Sequence, residues 1–262
     1  MKLAILQFDP TQNSFEGNIT KAVKAVNNIA TTDLIVLPEL WAVGFMNFDL
    51  FKTYAQTIDG PLVKTFQELA RAKKTSIFMG SFVEESSGNY YNSAVYINKL
   101  GAIQCVYRKI HLFTYKSREA EILSPGEKTF VIQTEFGNIG FATCYDLRFP
   151  ELFRTLQKNR AEIIIVPAAW PFKRIEHFRL FCQSRAVENL AYLISSNCCG
   201  GEDNKKLGGH SMVVDPFGEK IAEGNEHESV LYAEIDLSRI NHWRSNFSAL
   251  DDKKPSSFWN NQ

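Results

Sequence analysis

The 262-residue chain has no excess of charge of either sign: 29 Lys and Arg side chains balance 29 Asp and Glu. Without a net positive field nothing gathers nucleic acid or an anionic membrane, so neither is an expected partner and small molecules are favoured. Long apolar runs are missing too. No stretch nears the roughly 18 residues of a spanning helix, and the apolar opening Leu3-Ala4-Ile5-Leu6 is too short for a secretory signal and lacks a cleavage site. The five cysteines (Cys105, Cys144, Cys182, Cys198 and Cys199) are odd in number and follow no disulfide or zinc spacing, so a reduced, cytoplasmic chain is expected. The five histidines (His111, His177, His210, His227 and His242) form no paired metal pattern, and no Gly-rich phosphate-binding string follows a strand. No metal and no cofactor are therefore expected.

Core material is plentiful. At 45% hydrophobic the chain can fill a large interior, which excludes a disordered or low-complexity protein. Short aliphatic runs read as strands at the first residues and at 33–38, 76–83, 94–98, 102–107, 130–133, 139–143, 163–166, 192–196, 211–214 and 230–235. Between them, Ile19, Ala22, Val23, Val26 and Ile29 recur at helical spacing, as do Leu62, Val63, Phe66, Leu69 and Ala70 behind Pro61. Further helices are expected over 148–158 and 174–190. Strand alternating with helix argues for an α/β fold with a mostly parallel sheet covered by helices. No linker-like stretch or charge block divides residues 1–262, so a single domain is expected.

One internal echo stands out. Asp33-Leu-Ile-Val-Leu-Pro-Glu-Leu-Trp41 returns as Glu162-Ile-Ile-Ile-Val-Pro-Ala-Ala-Trp170, offset by 129 residues. If it reflects the fold, two similar α/β halves face each other across one core, with Glu39 at the strand end of one copy and Ala168 at the other.

In α/β folds, ligands collect beyond the carboxyl ends of strands. Three reactive side chains stand there: Glu39, Lys109 and Cys144. A carboxylate, an ammonium and a thiol suit acyl transfer. A thiol with pKa near about 8.5 is only slightly ionised at neutral pH and needs a base or a cation beside it. Each residue also has a bland reading: Cys144 as small core filler, Glu39 as a solvated strand end, Lys109 as a surface lysine.

The strings around these positions narrow the choice. Leu37-Pro38-Glu39-Leu40-Trp41 with Gly44-Phe45, then Tyr107-Arg108-Lys109-Ile110-His111-Leu112-Phe113, then Cys144-Tyr145-Asp146-Leu147-Arg148-Phe149-Pro150-Glu151 occur in this order. With Ser124-Pro125-Gly126, Ser184-Arg185-Ala186-Val187-Glu188-Asn189 and the stretch Gly209-His210-Ser211 to Phe217-Gly218, they resemble the nitrilase superfamily of carbon–nitrogen hydrolases over nearly the whole chain. Cys144-Tyr-Asp-Leu-Arg-Phe-Pro-Glu is similar to the Nit and ω-amidase-like branch, whereas Ala42-Val43 before Gly44-Phe45 departs from that branch's Thr or Ser.

The resemblance implies a four-layer αββα sandwich and a Glu-Lys-Cys triad, with Glu39 as general base, Lys109 as electrostatic partner and proton donor, and Cys144 as nucleophile. It further implies an oxyanion hole shared by Lys109 and the Tyr145 backbone N–H, a second glutamate at Glu119 (Glu121 the fallback), and a homodimer. Trp170, Phe172 and Arg174 are expected to line the substrate pocket, with Lys173 beside Arg174 as a further cation and the loops 41–50, 113–118 and 170–176 setting the acyl group. The expected activity is release of ammonia from a small carboxamide such as 2-oxoglutaramate or 2-oxosuccinamate through a thioester. Rival readings are a deaminated glutathione amidase or a nitrilase of the same fold, a non-catalytic small-molecule-binding protein on this scaffold, and a Cys–His protease, which would need an essential histidine. Arg185 and Glu188, three apart on a helix, read as a structural ion pair.

Overall fold

A computed structural model describes residues 1–12 and 14–254. The first half lays down β1 (Lys2–Gln7), α1 (Phe15–Asn28), β2 (Leu34–Val36), α2 (Pro61–Lys73), β3 (Ser76–Ser86), β4 (Asn89–Ile97) and β5 (Ile103–Arg108). After the single-turn α3 (Glu119–Ile122), the second half runs β6 (Val131–Thr134), β7 (Gly137–Phe141), α4 (Pro150–Lys158), β8 (Ile163–Ala168), α5 (Ile175–Asn189) and β9 (Tyr192–Asn197). A short ribbon of β10 (Cys199–Gly200) and β11 (Leu207–Gly208) precedes β12 (Met212–Val214) and β13 (Lys220–Glu223). The chain then returns to the first half as β14 (Ser229–Glu234), followed by α6 (Ser238–Asn246).

Two six-stranded sheets result, ordered β14-β1-β2-β3-β4-β5 and β6-β7-β8-β9-β12-β13. In each, three central strands are parallel and the remaining neighbours antiparallel. The expectation of a mostly parallel sheet is corrected here. Parallel neighbours need a crossover helix, and the stretches from β3 to β5 and from β12 to β13 contain only short turns, which join antiparallel strands. The β3–β4 hairpin also runs farther than the apolar residues suggest, through the polar Glu84-Glu85-Ser86 and Asn89-Tyr90-Tyr91.

The echo is structural. Both copies lie on the third strand of their sheets, and their alternation is in phase. Leu34 and Val36, like Ile163 and Ile165, face the core between the sheets, with Leu3, Ile5, Phe78, Phe141 and Ile194. Their neighbours point outward: Ile35 and Leu37 meet Ala22, Val26 and Phe66 of α1 and α2, while Ile164 and Val166 meet Phe153, Phe178 and Cys182 of α4 and α5. Strands covered on both faces read as unbroken aliphatic runs for this reason. The layers are helix, sheet, sheet, helix. Local signals set the helix starts: the Ser14 hydroxyl caps α1 by accepting the Gly17 N–H at 3.1 Å, and Pro61 opens α2. Among the described residues no helix is long and apolar enough to cross a membrane.

Candidate active site

Each reactive residue sits where a strand has just ended. After β2, Pro38 has no N–H to continue the ladder, and its carbonyl instead accepts the Ser81 N–H at 3.1 Å. The next turn is pinned from both sides. The Leu40 N–H donates to Ser81 Oγ at 3.1 Å, and the Trp41 indole donates to the Met79 carbonyl at 2.8 Å. Glu39, just before them, points between the sheets, where its own N–H reaches the Ala168 carbonyl at 3.4 Å. The two echo copies thus meet at equivalent positions. Lys109 follows β5, its N–H donating to the Asn92 carbonyl at 2.9 Å and its carbonyl accepting from Gly126 at 2.8 Å. Cys144 opens a 3₁₀ turn, Cys144–Arg148, after β7, with a φ of 46° in the left-handed region. Such strain in a non-glycine residue persists only where the surroundings impose it.

Packing of the two sheets brings these chain-distant residues into one buried charge cluster. Lys109 Nζ lies 2.9 Å from Glu39 Oε1, 2.9 Å from Glu119 Oε1 and 3.0 Å from Glu119 Oε2. Asn92 Nδ2 donates to Glu39 Oε1 at 2.8 Å and to Glu119 Oε1 at 3.0 Å. Backbone N–H groups complete the shell: Ala169 to Glu39 Oε2 at 2.9 Å and Phe113 to Glu119 Oε2 at 2.7 Å. Glu39, Lys109, Glu119 and Asn92 are all fully buried.

Burial by itself opposes the Lys109 charge, but Glu119 and Glu39 outweigh it and hold the ammonium more firmly than usual. Burial pushes the Glu119 carboxyl up, against the pull of Lys109, and the Glu39 charge adds to the rise. The Cys144 thiol is driven well above its ordinary range by burial first and then by Glu39, with Lys109 opposing. Both effects favour the protonated form of the sulfur.

Asp146 ties two of the three chain segments together. Its Oδ2 accepts the Thr143 N–H at 2.8 Å and the Tyr107 hydroxyl at 2.7 Å. Its Oδ1 accepts the His111 N–H at 3.0 Å and meets His111 Nδ1 at 2.7 Å. Tyr107 and His111 flank Lys109, and Thr143 and Asp146 flank the Cys144–Tyr145 step, so one buried carboxylate sets the ammonium's loop against the thiol's turn. Arg185 supports the same turn, donating from Nε to the Leu147 carbonyl at 3.0 Å while pairing with Glu188 at 2.9 Å.

A cavity of about 540 Å³ opens onto Cys144. All three expected loops line it, through Phe45, Phe113, Tyr115, Trp170 and Arg174 among others, and Tyr145 is in its wall. Lys205 and Leu207 also line it, a contribution the sequence reading missed. Phe172 departs from expectation. It is absent from the wall, and Lys206 Nζ stands 4.3 Å from its ring. The Trp170 side chain, 3% exposed, stays in the wall because its indole donates to the Arg174 carbonyl at 2.9 Å. Glu119 joins the cluster, whereas Glu121 pairs with Arg118 at the surface. Asn92 and Asp146 were not singled out from sequence; their types carry no signal apart from the hydrogen bonds they make.

Among the described residues, five basic side chains line the cavity, those of Lys116, Arg148, Lys173, Arg174 and Lys205, and no Asp or Glu does. The Arg174 guanidinium rests 5.6 Å from the Phe113 ring and 5.8 Å from that of Tyr115. That of Arg148 lies 5.1 Å from the Trp170 ring. In a chain of zero net charge this is a local concentration of positive potential. No group of His, Cys, Asp and Glu suited to a metal ion occurs among the described residues.

Known proteins resemble this chain over most of its length. The chain is 33% identical over 257 residues to 2-oxoglutaramate amidase of Paenarthrobacter nicotinovorans, covering 95% of this chain and 87% of that protein. It is 30% identical over 280 residues to deaminated glutathione amidase of Dictyostelium discoideum, covering 98% and 95%. The solved structure of Saccharomyces cerevisiae Nit3, a member of the nitrilase superfamily, superposes with a TM-score of 0.86 at 31% identity, covering 94% and 93%. The αββα sandwich is thus that of the superfamily. With the carbon–nitrogen hydrolase profile matching residues 2–245, the chain belongs to the carbon–nitrogen hydrolase family.

Proposed function

We propose that this protein is an ω-amidase, hydrolysing the terminal amide of a short dicarboxylate such as 2-oxoglutaramate or 2-oxosuccinamate to the acid and ammonia. The observation that carries the substrate class is the cavity over Cys144, whose wall among the described residues has five basic side chains and no Asp or Glu. A buried carboxylate without a partner is costly, so a site for one must supply cations or convergent donors. Arg174 and Arg148, braced on aromatic rings, have no ion pair among the described residues and are available for that task. The relative named 2-oxoglutaramate amidase supports the same reading.

In this reading Glu39 takes the Cys144 proton as Sγ attacks the amide carbon. Burial and Glu39 favour the protonated thiol, so in this reading proton transfer to Glu39 accompanies attack. The carbonyl oxygen gains negative charge, stabilised by the Lys109 ammonium and the Tyr145 N–H. The tetrahedral carbon then expels nitrogen, which leaves as ammonia with the proton held by Glu39, and the acyl group remains on sulfur as a thioester. Glu39 next deprotonates a water that attacks the thioester, and the departing sulfur recovers its proton. Glu119 stays beside Lys109 and keeps it charged throughout. The same reading takes the chain as one hydrolase unit.

The test compares kcat/KM for 2-oxosuccinamate with those for butyramide and deaminated glutathione, in wild type and in Arg174→Gln. Wild type should prefer the acid by at least on the order of 10²-fold, and Arg174→Gln should lose much of that preference through KM. Equal rates, or a preference for deaminated glutathione, would reject the substrate while leaving the amidase chemistry in place.

A further inference from the structure

Asn92 is fully buried on β4, opposite Val83 of β3, and two of its groups reach the charge cluster. Its carbonyl holds the Lys109 N–H at 2.9 Å. Its single side-chain NH₂ donates to two different carboxylates, Glu39 Oε1 at 2.8 Å and Glu119 Oε1 at 3.0 Å. The amide can sit only this way round, because its oxygen would find nothing to accept from a pair of carboxylates. Asn92 Oδ1 has no hydrogen-bond partner among the described residues. A buried acceptor left unpaired is a cost, so the side chain is retained for its donors.

The two donors divide the work of the Glu39 carboxylate. Lys109 and Asn92 occupy Oε1, and Oε2, which meets the Ala169 N–H, is the oxygen left for the Cys144 proton. Among the described residues, the titratable groups around Glu39 are Lys109 from the end of β5, Glu119 from α3, Cys144 from the 3₁₀ turn, and Cys198, whose Sγ donates to the Glu39 backbone carbonyl at 3.4 Å. Lys109 supplies the one positive charge among them, against two carboxylates. Donation from Asn92 stabilises both in their ionised form.

We propose that Asn92 is a positioning residue that keeps Glu39 ionised and turned toward Cys144 by bridging it to Glu119. This rests on the reading of Cys144 as nucleophile and Glu39 as base. Without the bridge, protons bind the carboxylate pair at higher pH, so the base is switched off over part of the range in which wild type works.

The experiment follows alkylation of Cys144 by iodoacetamide, a probe that requires no knowledge of the substrate, across pH in wild type, Asn92→Leu, Asn92→Ala and Asn92→Gln. Loss of a donor to a charged acceptor should move the ascending limb of the rate upward by about one to two pH units in the Leu variant. The smaller Ala variant should behave likewise and serves if Leu does not fold. Gln retains the NH₂ and should bring the limb back toward wild type. A limb that stays in place while rates fall equally at every pH would mark Asn92 as merely structural and overturn the proposal. Wild type with no reactive Cys144 would overturn both this proposal and the catalytic reading beneath it, whereas a reactive wild type with an unmoved limb in the variants would overturn this one alone.

Discussion

Replacing Asp146 by Ala should disable the protein in two measurable ways. Asp146 is fully buried and its two oxygens accept from the Thr143 N–H, the Tyr107 hydroxyl, the His111 N–H and the His111 ring. Thr143 and Tyr107 are themselves fully buried, so removing the carboxylate strands two donors out of reach of water. Each such group costs about 1–3 kcal/mol, and His111, partly open, adds less, so the expected loss is about 3–5 kcal/mol. For a domain of this size that lowers Tm by roughly 6–20 °C. The second effect is on rate, because the loops bearing Lys109 and Cys144 are no longer held in register. A displacement on the order of 1 Å between reacting groups costs about 10² in kcat/KM. Asp146→Asn should fall between: it keeps the shape, but its NH₂ replaces one acceptor oxygen and opposes a donor on whichever side it lies. Urea denaturation with kcat/KM on the folded variants checks both effects. An Ala variant within about 1 kcal/mol of wild type, with kcat/KM reduced less than about threefold, would refute the reasoning.

Cys144→Ala should abolish turnover and alkylation at this position while the protein stays folded, and a residual rate above a few per cent of wild type, by an ammonia-release assay, would remove Cys144 as nucleophile. Because φ is 46° at this position, Cys144→Gly should be more stable than Cys144→Ala by roughly 0.5–1 kcal/mol, measured by denaturation. Lys109→Met should lower kcat by on the order of 10²–10³. It also leaves Glu39 and Glu119 facing each other without their cation, which raises carboxyl pKa in the folded state above its unfolded value. A raised carboxyl stabilises the fold at low pH and loses that contribution as pH rises through the folded value, so Lys109→Met should regain stability relative to wild type as pH falls from about 8 to about 6. Thermal melts across that range check the sign, and a stability gap that widens on acidification would contradict it. Gly80→Ala should cut both stability and kcat/KM, since a Cβ there would stand 2.0 Å from the Pro38 carbonyl oxygen at a φ of 66° and push the strand end that carries Glu39. A variant with wild-type Tm and rate would show that this strand end yields without cost.

Much of the frame is legible in sequence because it depends on local chemistry and on alternation. The nine-residue echo specifies two strands buried on both faces, and Leu34 with Val36 and Ile163 with Ile165 do lie in phase against one another. Glu39, Lys109 and Cys144 are visible because each stands just past an aliphatic run, where an α/β fold exposes chemistry. Pro38 and Pro61 mark the end of one element and the start of another through a missing N–H and a fixed φ. Other features belong to tertiary structure alone. Asn92 lies in the polar outer part of a hairpin whose alternation is too weak to read as strand. Asp146 looks like any acidic turn residue until Tyr107 and His111 close on it from another strand end. Glu119 and Glu121 are two residues apart with similar neighbours; only the docking of α3 buries the first against Lys109 and leaves the second in water with Arg118. Phe172 left the pocket wall through the turn after Pro171, which no hydrophobicity pattern records. Charge sums hide the cavity's positive lining in the same way. Cations from four separate loops converge there while the carboxylates that balance them in the total lie elsewhere. Sequence order sets which residues precede a strand end, but the mutual distances of groups tens of residues apart, and hence their charge states, follow from how two sheets pack face to face.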